Sequence, residues 1–463
     1  MKIRERALWI GVVLILLIAA ASSRLNSRIF AGDTERTFEN LRLFNEIFNL
    51  LRTEYYDESK VAPDKLTQGA IEGMIDALGD PHTAYMGKDI FAELQTDTKG
   101  EFGGLGIVIG VRDNWITVIA PIDDTPAAQL GVKAGDRIIE IEGKSTEGYT
   151  TMDAVKVLRG KVGTSVTITV KRDQASDPLK FTIVRGIIKL ETVKSTLIDK
   201  RIGYFRISQF SETTADALRQ QIEKLLGQGI ESIVVDLRNN PGGLLSSAIE
   251  ISDMFLDRGI IVSTKGRNKA QNQVFQANPK PVAPALPLIV LVNEGSASAS
   301  EIFAGAVKDN KRGILVGTKT FGKGSVQTVK ELPDGSGIRI TTALYYTPSG
   351  VSIDNTGIEP DETVKEVEVT KEEMASMEKI NELKLIEEFV KDHRSYGEKD
   401  FEALMKRLSQ RDLTVKPIIV RRLIKNELEK REVPALLDLD YDLQLKHAVN
   451  MLKSVGVLLK SKS

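Results

Sequence analysis

The 463-residue chain has no cysteine, only three histidines and two tryptophans, and its charges nearly cancel, with 63 Lys and Arg against 64 Asp and Glu. Without cysteine there is no disulfide, thiol nucleophile, thiolate zinc site or iron–sulfur cluster. The histidines, His82, His393 and His447, are far apart and show no His-Glu-x-x-His spacing. That disfavours a histidine zinc site, and a nucleophilic serine would need a base other than imidazole. The charge balance leaves no basic excess to drive nucleic-acid binding. Hydrophobic residues at 41% and charged residues at 27% fall within ordinary globular usage. At about 100 to 200 residues per domain, the length implies several domains.

The N-terminus carries Lys2, Arg4 and Arg6, then an uncharged stretch from Ala7 to Ser23 that ends in small residues, Ala19-Ala20-Ala21. This pattern predicts export. It fits a cleaved signal peptide, and its length also reaches the lower limit of a spanning helix, so residues 1–30 read as signal peptide or signal anchor. Residues 31–97 read as a helical region, with Phe38, Leu41, Phe44, Ile47 and Leu51 at helical spacing and a second stretch from Pro63 to Leu78. From 98 to 188 the texture is β-rich, with alternating runs at Trp115–Ile119, Arg137–Ile141 and Val166–Val170 around a short amphipathic helix, Thr151–Leu158. Residues 189–365 alternate apolar strand-like runs (Ile230–Val235, Leu286–Val292, Ile314–Val316) with helical ones (Ala215–Leu226, Leu244–Phe255, Glu301–Lys308), an α/β core. Residues 366–463 are helical, with charges on a solvated face. The chain is thus predicted to be multidomain α+β.

Three segments carry chemistry. Leu286–Lys308 runs from a strand through a turn of small residues, Gly295-Ser-Ala-Ser298, into a helix. Ser298 would sit at a helix N-terminus, where free N–H groups favour developing negative charge. Ser298-Ala-Ser-Glu301 also reads as a capping box, in which Ser298 would only accept from a backbone N–H and Glu301 would reach back. In Gly322-Lys323-Gly324 the flanking glycines let the backbone place the amine deep against another element. Lys323 would serve as a base only if its pKa fell from about 10.4 towards 7 or 8, which needs burial and few carboxylates nearby. Gln327 is placed to orient that amine without adding a charge. Gly317–Lys323 also approaches a phosphate-binding loop, but Gly324 stands where Ser or Thr is needed and the following residues alternate like a strand, so nucleotide hydrolysis is set aside. In Asp236-Leu-Arg-Asn-Asn-Pro-Gly-Gly243, the N–H groups of Gly242 and Gly243 are either oxyanion donors or the product of tight packing.

Gly295–Glu301, Phe321–Gln327, Asp236–Gly243 and Gly357-Ile-Glu-Pro-Asp361 together resemble the carboxyl-terminal processing, or tail-specific, proteases over roughly residues 36 to 365. The resemblance implies a ClpP/crotonase-like α/β core with Ser298 as nucleophile, Lys323 as general base and Gln327 as orienting residue. It also implies an oxyanion hole from the backbone of Ala299 and of Gly242 or Gly243. Asp80-Pro-His-Thr83 resembles another family motif, so His82 is expected to be structural. Gly103-Gly104-Leu105-Gly106-Ile107 is similar to the carboxylate-binding loop of a PDZ domain, with Val155 and Leu158 lining an apolar pocket for a peptide tail. Arg159, at the end of that helix, is expected either to couple tail binding to the site or to be a solvated helix-end arginine.

The implied activity is that of a serine endopeptidase of the bacterial cell envelope, cleaving proteins recognised by exposed apolar C-termini. It needs no metal and no cofactor, forms homo-oligomers through its helical ends, and is either constitutively active or switched on by an activating partner protein. A non-catalytic tail-binding scaffold is the competing class, and the joint presence of Ser298, Lys323 and Gln327 argues against it.

Overall fold

The computed structural model describes residues 36–460 apart from 123, 173–176, 280, 284, 368, 394 and 430–435. The expected export segment, residues 1–30, lies outside the described residues. The chain divides into two compact units at the Tyr85/Met86 junction. The described part of the first is helical, with a helix over residues 36–54 and another at Pro63–Asp76. Phe38, Leu41, Phe44, Ile47 and Leu51 are exposed along the first of these, an apolar stripe without cover among the described residues. No described helix is long and apolar enough to cross a membrane.

The second unit opens with helix Lys88–Lys99 and a two-stranded ladder, Glu101–Gly104 against Gly186–Lys189. Between them lies an antiparallel sheet whose strands run Ile107–Arg112, Trp115–Pro121, Arg137–Ile141, Ser165–Lys171 and Leu179–Val184, with Ile107–Arg112 at its edge. Helix Thr151–Leu158 starts at a full capping box: Thr150 Oγ1 accepts from the Asp153 amide at 3.2 Å, and Asp153 accepts from the Thr150 amide at 3.0 Å. Its Ala154 and Leu158 enter a core with Leu105, Ile116, Val118 and Ile138. The fully buried Asp136 accepts Arg172 Nε at 2.7 Å and Nη2 at 2.8 Å, together with the Lys133 amide. A buried carboxylate of this kind is stable because it is paired and its remaining lone pairs are filled.

The largest core is built on a six-stranded sheet. Val193–Ile198 pairs antiparallel with Ile202–Ile207, followed in parallel by Ser232–Asp236, Leu288–Val292, Ile314–Gly317 and Glu362–Thr363. The central strands are buried on both faces, which explains their unbroken apolar runs. The strand period of two divides them: Phe205, Val235 and Val290 face helices Thr214–Leu226, Leu245–Asp253 and Ala299–Asp309. Tyr204, Val234, Ile289, Leu291 and Val316 face Leu445, Ala448, Val449 and Leu452 of the final helix, Leu443–Lys460. A separate antiparallel arrangement holds Gln273–Gln276, Ile260–Gly266, Gly337–Tyr346 and Ser325–Glu331 in that order. Helices Lys371–Glu382, Leu385–Asp392, Glu398–Ser409 and Pro417–Glu429 enclose a small core of their own around Phe389, Phe401, Leu404 and Ile424. The final helix does not join them; it forms the second helical layer of the α/β core.

Candidate active site

Ser298 closes the turn between strand Leu288–Val292 and helix Ala299–Asp309, with φ 54° and ψ −111°. That conformation costs a non-glycine residue roughly 1–3 kcal/mol and persists only where its surroundings hold it. Its supports are identifiable. The Glu301 carboxylate accepts from the Ser298 amide at 2.8 Å, while the Glu301 amide donates to the Ser298 carbonyl at 2.9 Å. Only half of the capping box therefore forms, and the Ser298 hydroxyl takes no hydrogen bond among the described residues.

Glu301 does more than cap. Its Oε1 accepts from Thr320 Oγ1 at 2.6 Å and the Gly322 amide at 2.7 Å, and its Oε2 accepts from the amides of Ser298 and Lys323, both at 2.8 Å. Two bonds to one oxygen put the backbones of the serine and the lysine no more than twice 2.8 Å apart, across a sequence gap of some two dozen residues. The two candidate catalytic segments are thus joined through one fully buried carboxylate. Burial pushes this carboxyl above its ordinary range, against the pull of its four donors.

The Lys323 amine is half-buried and makes no ion pair within 4 Å among the described residues. Burial lowers its pKa, the positive charge of Arg339 lowers it further, and Glu301 partly opposes both. Arg339, on strand Gly337–Tyr346, is a contributor that sequence reading missed. Gln327 donates through Nε2 to Ser325 Oγ at 3.2 Å and Thr341 Oγ1 at 3.0 Å, which orients its amide. Its Oε1 is buried and has no partner among the described residues, so it is an acceptor available to an amine.

The Gly-pair turn is interlocked with the serine turn. The Asn240 carbonyl accepts from the Ala297 amide and from Ser300 Oγ, both at 3.0 Å, and Asn239 and Asn293 exchange side-chain and backbone hydrogen bonds at 2.8 and 2.9 Å. Gly242 has φ 102°, and a Cβ placed there would lie 2.9 Å from Ser298 Cβ, so no larger residue fits against the serine. The two glycines differ in what their amides do. Gly242 donates to Asn240 Oδ1 at 2.9 Å, whereas the amides of Gly243 and Ala299 are unpartnered among the described residues. A free N–H on the residue after the strained serine, and another on the neighbour of the glycine that abuts it, suit a developing oxyanion.

In the β-rich domain, Gly103 and Gly104 lie in the ladder opposite Ile187 and Gly186, and Gly103 is in close backbone contact with Gly160. The amides of Leu105 and Gly106 are unpartnered among the described residues, and Ile107 begins the edge strand. Val155 and Ile107 are partly buried, while Leu158 is part of the core. Arg159 is not a freely solvated helix-end residue: its guanidinium carbon sits 4.0 Å over the ring centroid of Phe102. Among the described residues no cluster of three or more acidic or histidine side chains could hold a metal ion.

The fold and site define a serine-type peptidase that carries a PDZ domain. Residues 201–364 match the model of peptidase family S41, residues 117–172 a PDZ domain, and residues 18–90 the N-terminal domain of the activating protease CtpB. The carboxy-terminal-processing protease of Bartonella bacilliformis is 44% identical over 357 residues, 76% of this chain and 81% of that one. The carboxy-terminal processing protease CtpA of Bacillus subtilis is 36% identical over 351 residues, 76% of this chain and 74% of its own. A solved photosystem II D1 C-terminal processing protease is 32% identical and aligns over 70% of this chain and 92% of that one, with a TM-score of 0.41. The chain belongs to peptidase family S41, among the carboxy-terminal processing proteases.

Proposed function

We propose that the chain is an exported endopeptidase working through a Ser298–Lys323 pair on proteins whose C-terminal tails occupy the PDZ domain. The observation that carries this reading is the shared Glu301 carboxylate, which holds the backbones of the strained serine and the low-pKa lysine side by side. Neutral Lys323 takes the proton from Ser298 Oγ as that oxygen bonds to the substrate carbonyl carbon. The amides of Ala299 and Gly243 receive the oxyanion. The ammonium then returns the proton to the departing amine as the C–N bond breaks, and water, deprotonated by the same lysine, hydrolyses the acyl-enzyme. Gln327 Oε1, unpartnered among the described residues, is the acceptor that the amine would turn to, and it contributes no charge.

The test is cleavage of an unfolded protein with an apolar C-terminus by the full chain. Ser298→Ala is expected to abolish cleavage and leave affinity for a tail peptide unchanged. Cleavage that survived this change would refute the serine assignment, and a parent that bound tails without cutting would favour the scaffold reading or an absent activating partner.

Tail binding has a physical route to the site. Arg159 stacks on Phe102, three residues beyond the end of helix Lys88–Lys99. The C-terminal turn of that helix accepts from Gln209 Nε2 at the Asp97 carbonyl and from the Glu212 amide at the Thr98 carbonyl. Those two contacts flank Phe210, whose amide donates to the Gly242 carbonyl at 2.9 Å and whose carbonyl accepts from the Leu244 amide at 2.7 Å. Arg159→Ala is therefore expected to lower turnover of a tailed substrate about 5- to 150-fold, the usual span of a coupling energy, with tail affinity little changed. Unchanged turnover would remove the coupling role. Export rests on the basic and apolar start of the chain and is checked by cell fractionation. Self-association rests on the exposed stripe from Phe38 to Leu51 and is checked by light scattering with Phe44→Glu.

A further inference from the structure

We infer that the final helix, Leu443–Lys460, belongs to the catalytic apparatus: Asp442 at its start holds Arg238 and so positions the turn that presents the Gly243 amide. This deepens the oxyanion assignment and rests on it. Arg238 is 7% exposed and Asp236 fully buried. Asp236 accepts from Arg238 Nε at 3.0 Å and Nη2 at 2.6 Å, and from Tyr204 Oη at 2.7 Å. The other edge of the guanidinium is gripped from more than 200 residues away. Nη1 and Nη2 donate to the two oxygens of Asp442 at 2.8 and 2.7 Å, and Nη1 also donates to Gln444 Oε1 at 3.1 Å. Gln444 is fully buried and donates in turn to the Val364 carbonyl at 2.8 Å.

A bidentate arginine–carboxylate pair fixes orientation as well as distance. With both edges occupied, the Arg238 side chain has no freedom to swing, and the backbone it anchors is the first residue of the Arg238–Gly243 turn. Asn239 has φ 56° and is locked to Asn293, Asn240 holds Ala297 and Ser300, and Gly243 follows. Each link is a hydrogen bond between buried or part-buried groups, so a shift at Arg238 is passed on to both turns of the site. Asp442 also accepts from the Leu445 amide at 2.9 Å, which makes it the cap of the helix whose Leu445, Ala448, Val449 and Leu452 cover the sheet. One carboxylate thus registers whether the helix is seated and holds the turn when it is.

The test uses the full chain with Asp442→Asn and Asp442→Glu. Asparagine keeps the helix cap and one acceptor, and Arg238 keeps Asp236, so the variant is expected to fold. In Asp442→Asn, hydrogen exchange at the amides from Asn239 to Leu244 is expected to accelerate. Turnover is expected to fall about tenfold to hundredfold, below the 10²- to 10³-fold loss from deleting an oxyanion donor. KM and affinity for a tail peptide should stay unchanged, and Asp442→Glu should recover part of the turnover. Unchanged exchange in a folded Asp442→Asn chain would overturn the inference, as would a fall in tail affinity that accounted for the whole loss. If the parent itself proved inert, the protease reading would fail separately, because the exchange measurement judges the positioning role without catalysis.

Discussion

Lys323→Met is expected to lower turnover about 10³- to 10⁴-fold while leaving the chain folded, because it removes the proposed general base and little of its volume. Burial and the Arg339 charge already disfavour the ammonium form, with Glu301 opposing. In the parent, kcat/KM should therefore rise with pH through a lysine pKa below the ordinary value and level off where a solvent-exposed lysine would still be charged. The same shift fixes the sign of a stability effect. A lysine whose folded pKa is depressed binds fewer protons folded than unfolded, so stability rises with pH between the depressed and the ordinary pKa. Below that window the buried ammonium is a burden, and Lys323→Met should raise the melting temperature at neutral pH. Pre-steady-state acylation and a thermal scan check both halves. A variant that acylated at the parental rate would exclude Lys323 as the base, and a lower melting temperature would contradict the burial argument.

The second large effect is expected at Glu301. Glu301→Gln keeps shape but replaces one acceptor oxygen with an NH2 group, and all four partners of the carboxylate are donors. Whichever way the amide turns, either the Ser298 and Lys323 amides or the Thr320 hydroxyl and Gly322 amide face another donor. Leaving one or two buried donors unsatisfied costs about 1–3 kcal/mol each, so a destabilisation of roughly 2–4 kcal/mol is expected. Because the same bonds keep the serine in its strained conformation and the lysine beside it, turnover should fall about a hundredfold or more; small displacements between reacting groups are worth that much. Denaturant unfolding and single-turnover kinetics measure the two effects. A Glu301→Gln enzyme with parental turnover would mean that Ser298 and Lys323 are held in place by something other than this carboxylate.

Local patterns carried much of the fold. The strands around Trp115, Arg137, Val166, Ser232, Leu288 and Ile314 and the helices between them are visible because burial on one or both faces imprints a period on the residues themselves. Ser298 and Lys323 were legible for a related reason: a small-residue turn entering a helix and a lysine between glycines are local consequences of local needs. Other features depend on geometry that spacing does not encode. Ser298-Ala-Ser-Glu301 has the same letters whether Glu301 caps one amide or gathers four donors from two segments. Gly242 and Gly243 look equivalent until the Asn240 side chain is seen to occupy one amide. The final helix carries charges that suit a solvated face, and its partner surface is assembled from strands as far back as Ile198. Arg238 and Asp442 are separated by most of the α/β core and the C-terminal helices, so no window of sequence contains both.

The placement of that last helix also governs the order in which the molecule is completed. During synthesis the strands from Val193 to Gly317, the serine turn and the lysine loop all emerge before Leu445, Ala448, Val449 and Leu452 exist. Until they do, that face of the sheet lacks its helix and the guanidinium of Arg238 lacks Asp442 and Gln444. If Asp442 positions the oxyanion turn as inferred above, that turn gains its second grip only after the strands, the serine turn and the lysine loop have been made.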